Sequence, residues 1–264
     1  MSGRRVSWFS CGAASAVATK LSAPDVIAYN VTGSEDVDNA RFYNDCERWF
    51  GKKITRVHSD DFENTWDVWG RRRYLRDRNG APCTQELKIK PRLKFQNPDD
   101  IHIFGYTADR ADVKRADGFR DHWPELAVEF PLIDRGITKS GCLAMIESAG
   151  LRLPRVYAMG FPNANCIPCV KASSPDYWSM IRYHFPQEFQ RMNGVCKSID
   201  YKVCRVHGEW IHLDELPDDW PMAEPIAPEC DFLCGLAQGD LDDDLDRCPS
   251  GVGCKQNKTP LPGG

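Results

Sequence analysis

The chain has 264 residues, a net charge of −4 and a pI near 5.9, which excludes an overall basic field able to hold nucleic acid non-specifically. A composition of 42% hydrophobic and 27% charged residues excludes disorder along the whole length, and at roughly 150 residues per domain the chain holds one large domain or one domain plus an appendage. No apolar run approaches the roughly 20 residues that span a bilayer, and Met1 to Arg5 lacks the apolar stretch of a signal peptide, so a cytoplasmic protein with no membrane partner is expected.

In chain order, Val6–Phe9, Val26–Val31, Ile54–Val57 and Ile101–Gly105 read as strands, separated by amphipathic helical patterns. That alternation predicts an α/β layer fold around a mainly parallel sheet, with helices on both faces. Asp38 is placed to cap a helix carrying Phe42, Tyr43, Cys46, Trp49 and Phe50 and ending at Gly51. Thr138 is placed to cap a second helix running through Leu143 and Ile146 to Gly150. From Cys166 strand signals thin out: Ser174 and Pro175 open a helix with Tyr177, Trp178 and Ile181, and Pro186 interrupts it. The expected division is a nucleotide-binding domain over 1–165 and a smaller, helical and cysteine-rich region over 166–264, its tail from Asp240 expected to be loop.

Directly after the first strand comes Ser10-Cys11-Gly12-Ala13-Ala14-Ser15, followed by a helical run. Small residues there let an anion approach backbone N–H groups at a helix N-terminus, and they equally serve tight packing. This segment resembles the SGGxDS pyrophosphate loop of the adenine-nucleotide α-hydrolase (PP-loop) superfamily. Further segments resemble its 3′-phosphoadenylyl sulfate (PAPS) reductase-like branch, in the right order. They are Val31-Thr32-Gly33-Ser34-Glu35, Cys83 with Leu87, Lys88 and Pro91, Gly105 with Asp109 to Arg115, and Phe130 to Ile133. The most specific is Gly160-Phe161-Pro162-Asn163-Ala164-Asn165-Cys166-Ile167-Pro168-Cys169-Val170-Lys171, similar to a segment of reductase-like proteins often encoded by bacteriophages. The resemblance, over roughly residues 5 to 235, implies a Rossmann-like domain in the cytoplasm, of the host cell if phage-encoded. It implies ATP or another adenine nucleotide, or a sulfonucleotide, at Ser10, Cys11, Gly12, Ala13, Ala14, Ser15, Thr32, Gly33, Asp109 and Arg115. Arg110 and Arg115 are implied near phosphates, and Asp109 or Asp112 near a metal such as Mg²⁺, with a solvated charged face as the alternative reading.

Two departures stand out. Cys11 occupies a position usually held by Gly, and Ala14 stands where ATP-cleaving members carry an Asp that helps hold metal and pyrophosphate. The short C-terminal motif that carries the reductases' catalytic cysteine beside Gly and His is absent, and no catalytic residue is singled out.

Twelve cysteines are many for a reducing compartment, which raises metal or sulfur chemistry. Cys46 and Cys142 read as small apolar core residues. Cys83 lies 83 positions before the Cys166-Ile167-Pro168-Cys169 loop, a spacing similar to that of the [4Fe-4S] ligands in the adenylyl sulfate reductase branch, with Thr84 in place of a fourth cysteine. The resemblance implies a cluster on Cys83, Cys166 and Cys169, its fourth iron taken by Cys230, Cys234, a non-protein ligand or nothing. An open iron resembles the arrangement in RNA-thiolating members. Cys196, Cys204 and His207 with Cys230 and Cys234 offer zinc as an alternative, Cys248 and Cys254 are extra ligands or free thiols, and plain reduced thiols are the remaining reading.

Arg71, Arg72, Arg73, Arg76 and Arg78, with Tyr74, Trp66 and Trp69, form either a local patch for phosphate, sulfate or nucleic acid, or a solvated face paired with Asp60, Asp61 and Glu63. Lys88, Lys90, Arg92 and Lys94 extend the basic character after Cys83. His58, His102, His122, His184 and His212 read as unpartnered and non-catalytic. The expected activity is that of a sulfonucleotide reductase-like oxidoreductase or sulfur transferase. ATP-dependent nucleic-acid thiolation, or a non-catalytic nucleotide-binding phage accessory protein, are the alternatives.

Overall fold

Strand β1 (Arg5–Phe9) is buried on both sides. Val6 and Trp8 join one apolar cluster and Phe9 joins another, while Ser7 meets Thr19 hydroxyl to hydroxyl at 2.7 Å. A strand covered on both faces belongs at the centre of a parallel sheet. The computed structural model describes residues 3–77 and 80–228; Arg78, Cys230, Cys234, Cys248, Cys254 and the expected tail lie outside them.

The first half alternates as the periodicity predicts: α1 (Ala13–Ser22), β2 (Val26–Asn30), α2 (Asn39–Phe50), β3 (Ile54–Val57) and α3 (Thr65–Arg72). Next, α4 (Pro82–Thr84) passes through a π-helical turn (Gln85–Ile89) into α5 (Lys90–Phe95), followed by β4 (Ile101–Ile103), α6 (Arg110–His122) and β5 (Ala127–Glu129). Helices α7 (Pro131–Asp134), α8 (Lys139–Ser148), α9 (Arg155–Ala158), α10 (Pro175–His184) and α11 (Pro186–Ser198) complete the helical part, and β6 (Cys204–Val206) with β7 (Glu209–Ile211) forms a hairpin. The five strands β1 to β5 are all parallel, in the order β3-β2-β1-β4-β5. The chain is an α/β protein with helices flanking a parallel sheet, consistent with a Rossmann-like fold.

Helix α1 is almost wholly buried because its run of Ala13, Ala14, Ser15, Ala16 and Ala18 lets it lie close to β1 and α8. One continuous apolar cluster takes in Phe9, Val17, Leu143, Trp178, Met192 and Leu216, so residues on both sides of position 165 share a core. Cys46 and Cys142 are fully buried in it.

The local details depart from expectation in four places. Asp38 occupies the N-cap position of α2, but its carboxylate bonds no helix N–H; it pairs with Arg41 at 2.7 Å and accepts the Arg155 N–H at 3.0 Å. The Arg41 guanidinium holds its pKa down to about 2. Strand β4 stops at Ile103, two residues early, because the chain must leave the sheet to pass the α1 loop at Gly105. The three-residue edge strand β5 carries too few residues to show a period. The β6–β7 hairpin stands where strands were not expected, turned by His207 and Gly208, both at positive φ as a type I′ turn requires. By contrast, the Thr138 hydroxyl caps α8 on Gly141 N–H, and the Ser174 hydroxyl caps α10 on Tyr177 N–H.

Candidate functional site

The strand order reverses between β1 and β4, and in open parallel sheets the crevice at the C-terminal ends of the strands on either side of such a reversal is where ligands bind. Here the segment after β1 forms one wall and the segment after β4 the other. Gly105 makes this approach possible: a Cβ there would stand 2.6 Å from Ser15 Cα.

The loop is tied by its own side chains. Ser15 Oγ accepts from Ser10 N–H at 3.1 Å, meets Ser10 Oγ at 3.1 Å and donates to the Gly12 carbonyl at 2.9 Å. Cys11 has φ of 55°, in the left-handed region that favours glycine. Its thiol faces the Asn39 carbonyl at 3.9 Å, and burial pushes its pKa far up. The first N–H groups of a helix lack intrahelical partners. Of these, Ala13 N–H donates to the Tyr157 hydroxyl at 3.0 Å, which leaves Gly12, Ala14 and Ser15 along the cavity.

That cavity, about 450 Å³, is lined by Ser10, Gly12, Ala14 and Ser15 of the loop, Tyr29 of β2 and Glu35 beyond it, and Gly105 and Tyr106 beyond β4. Arg115 and Lys139 bring positive charge to it. Arg115 pairs with Asp112 at 2.8 Å and lies over the Tyr106 ring at 5.0 Å. Lys139 donates to Asn163 at 2.8 Å, and burial lowers its pKa. Sequence reasoning missed Lys139 and Tyr157, although Lys139 directly follows the helix-capping Thr138.

Several expected ligand positions face elsewhere. Cys11, Ala13, Gly33 and Asp109 are not among the lining residues of this cavity or its neighbour. Gly33 has φ of 63° in a turn where a Cβ would meet the Glu63 carbonyl at 2.5 Å. The Asp109 carboxylate accepts from Thr107 Oγ1 and Lys139 N–H at 2.8 and 2.9 Å, fastening two loops. Asp112, which does line the cavity, accepts from Thr107 and Arg115.

A second cavity, about 510 Å³, brings Cys83, Cys166 and Cys169 onto one wall with Thr32, Trp69, Lys171 and Tyr177. The two cavities share Thr84, Lys88, Arg115, Asn163, Asn165 and Cys166. The Cys166 loop is fixed against the turn after β2: Ile167 N–H donates to the Ser34 carbonyl at 2.7 Å, and Thr32 Oγ1 stands 3.0 Å from Cys166 Sγ while also bonding Glu35. Cys169 N–H donates to the Tyr177 hydroxyl at 2.5 Å. Burial pushes the Cys83 thiol up, and the Cys166 thiol up to about 12 despite the Lys88 charge. Burial pulls the Lys88 pKa down, but Cys166, Glu35, Cys169 and Cys83 more than offset it, so the net displacement is upward. Burial lowers that of Lys171.

The donor set suits a thiolate-bound group: three cysteines line one space with Lys88 and Lys171, and burial keeps the Cys83 and Cys166 thiols protonated until a cation displaces the protons. Among the described residues no three His, Cys, Asp or Glu side chains stand close enough to share a single ion. Cys196 and Cys204, the described cysteines of the zinc alternative, are buried in the apolar core, with pKa values pushed by burial up to about 12 and 11.

The arginine run is largely engaged within the chain. Arg71 donates to the Asp61 carbonyl and reaches the Asp67 carboxylate, Arg72 pairs with Glu86 at 2.5 Å, and Arg73 and Arg76 donate to the Ser198 and Lys171 carbonyls. The acid partners are thus Asp67 and Glu86 instead of the expected Asp60, Asp61 and Glu63, because α3 turns the guanidinium groups toward its own acid and toward Glu86 in the π-helical turn. Two of the histidines expected to lack partners have them: His102 accepts from Trp8 Nε1 at 2.9 Å, and His212 lies 4.0 Å from Asp200. No helix of the described residues is long and apolar enough to cross a membrane. No family model matches the chain, and no curated protein matches it significantly.

Proposed function

We propose that this chain is a sulfonucleotide reductase-like enzyme of the PP-loop type, binding an adenine nucleotide along the first cavity and carrying out reductive or sulfur-transfer chemistry at the second. The observation that carries the reading is the shared wall: Lys88, Arg115 and Cys166 border both cavities, so a ligand phosphorylated at the α1 loop has a direct path to the thiols.

In this mechanism the N–H groups of Gly12, Ala14 and Ser15 hold the phosphate chain at the α1 N-terminus. Arg115 and Lys139 neutralise it, and Tyr106 with Phe104 supplies an aromatic wall for the base. Cys83, Cys166 and Cys169 would hold an iron-sulfur cluster, which supplies electrons or a sulfur-carrying iron when bound. Lys88 stabilises negative charge on the ligand and on the three sulfurs together, and Thr32 orients Cys166.

ATP-dependent thiolation of a nucleic acid is the second reading, favoured by Arg76, which donates to the Lys171 carbonyl beside the cysteine loop. Against it, Ala14 offers no carboxylate for Mg²⁺, and Asp112 is already engaged by Thr107 and Arg115. A non-catalytic accessory protein is the third.

The deciding experiment is anaerobic purification with iron, zinc and acid-labile sulfide measured per chain, followed by turnover assays. About four irons with matching sulfide and thiol-dependent sulfite release from a sulfonucleotide support the first reading. AMP and pyrophosphate from ATP support the second. Zinc without sulfide removes the redox mechanism, and nucleotide binding without turnover, with activity regained in Ala14→Asp, supports the third.

A further inference from the structure

Arg92 is 5% exposed, and neither Nη1 nor Nη2 has a hydrogen-bond partner among the described residues. It lines the first cavity, where its guanidinium lies over the Trp123 ring at 4.5 Å and the Phe119 ring at 5.8 Å. Buried arginines are normally paired, because a buried charge without a partner is costly. Burial pulls the Arg92 pKa down against the weaker pull of Glu125 and Tyr106, and no carboxylate of the described residues bonds its Nη1 or Nη2.

A second orphaned donor feels its field but lies outside the lining of the cavity. His102 is fully buried, and Trp8 Nε1 donates to its Nδ1 at 2.9 Å, which leaves the ring proton on Nε2. That Nε2 has no partner either. Burial and then the Arg92 charge hold the imidazole pKa down to about 4, so the ring is a neutral donor at pH 7. Aromatic walls from Trp8, Phe104, Phe119 and Trp123 lower the local dielectric, which strengthens any charge-assisted bond made there.

We infer that Arg92 anchors an oxyanion subsite in the first cavity and takes a tetrahedral oxyanion of the phosphate class. The two unpaired Nη atoms offer the planar fork that binds such oxyanions in bidentate fashion. The inference goes beyond the proposed reaction and stands without it, since it concerns neither the thiols nor turnover.

The test follows thermal unfolding of the full chain with inorganic phosphate, with AMP, and with phosphate added over saturating AMP, for the wild type, Arg92→Met and Arg92→Lys. A ligand bound only by the folded state raises the midpoint by an amount that grows with the logarithm of one plus the ratio of its concentration to Kd. The inference expects Arg92→Met to unfold at a higher temperature than the wild type in the absence of oxyanion, through removal of an unpaired charge. It also expects a phosphate-dependent rise at least tenfold weaker in apparent affinity in Arg92→Met, with Arg92→Lys between. Phosphate stabilisation on top of AMP, lost in Arg92→Met, identifies a free oxyanion; a tenfold loss of AMP affinity itself identifies the nucleotide's own phosphate. Equal responses of wild type and Arg92→Met to both ligands overturn the inference while leaving the α1 loop as a phosphate site. Absence of any AMP response with an Arg92-dependent phosphate response sinks the nucleotide reading and keeps the subsite. Should Arg92→Met fail to fold, Arg92→Lys matching the wild type in every titration overturns the inference on its own.

Discussion

Gly105 passes Ser15 so closely that a Cβ on Gly105 would lie 2.6 Å from Ser15 Cα and 2.7 Å from Ser15 N. Both obstructing atoms are backbone, so neither wall of the cleft can relieve the contact by a rotamer change. Gly105→Ala is expected to cost about 1 to 3 kcal/mol as an overpacked contact, and to weaken nucleotide binding by moving the α1 loop. Urea unfolding combined with nucleotide titration checks both; an alanine variant of wild-type stability contradicts the close packing of the two loops.

Tyr157 holds the head of α1 from a distant part of the chain, its hydroxyl accepting from Ala13 N–H at 3.0 Å. Tyr157→Phe removes one buried hydrogen bond and leaves that N–H without its partner. The expected loss is about 1 kcal/mol, read as a lowered denaturation midpoint with unchanged steepness. Phosphate binding should then change more than the affinity of ligands that avoid the loop.

Acid should weaken the fold through His102. Burial holds its pKa down to about 4 in the folded chain, against 6.5 for an ordinary histidine. Between these values the unfolded chain binds more protons, so the contribution of His102 is complete above about pH 6.5 and is lost as the pH falls toward 4. Unfolding free energy measured across that window should fall with pH in the wild type and fall less in His102→Gln. Parallel curves would show that His102 does not titrate with folding.

The cysteines should separate into two classes. Serine at Cys83, Cys166 or Cys169 is expected to lower bound metal and sulfide while leaving the secondary structure intact, because these side chains line a cavity. Serine at Cys46, fully buried among Phe42, Tyr43 and Phe9, is expected to leave metal content unchanged and to cost about 1 to 3 kcal/mol by burying a hydroxyl without a partner. Metal analysis and thermal unfolding of the four variants test this division.

Much of the sheet was legible because local signals decide it. Short segments of four or five residues, mostly apolar at their buried positions and bounded by turn residues, mark β1, β2 and β3, and hydroxyl caps at Thr138 and Ser174 mark where α8 and α10 begin. The small residues from Ser10 to Ser15 likewise announce a close approach at a strand-to-helix turn. What escaped was either too short to carry a period, as in β5 and β6, or set by a partner remote in sequence.

An acidic α/β chain, its parallel strands, its small-residue loop and a cysteine loop beside Lys171 are written in local residue patterns. Which of these face one another follows from the folded arrangement. That arrangement turned Cys11 inward and Asp109 onto Thr107 and Lys139, brought Lys88 to the wall between two cavities, and left Arg92 buried without a partner. The physical reason is range: strand and cap preferences arise within a few residues, whereas burial, charge pairing and the direction of a side chain depend on elements that meet only after the sheet has formed.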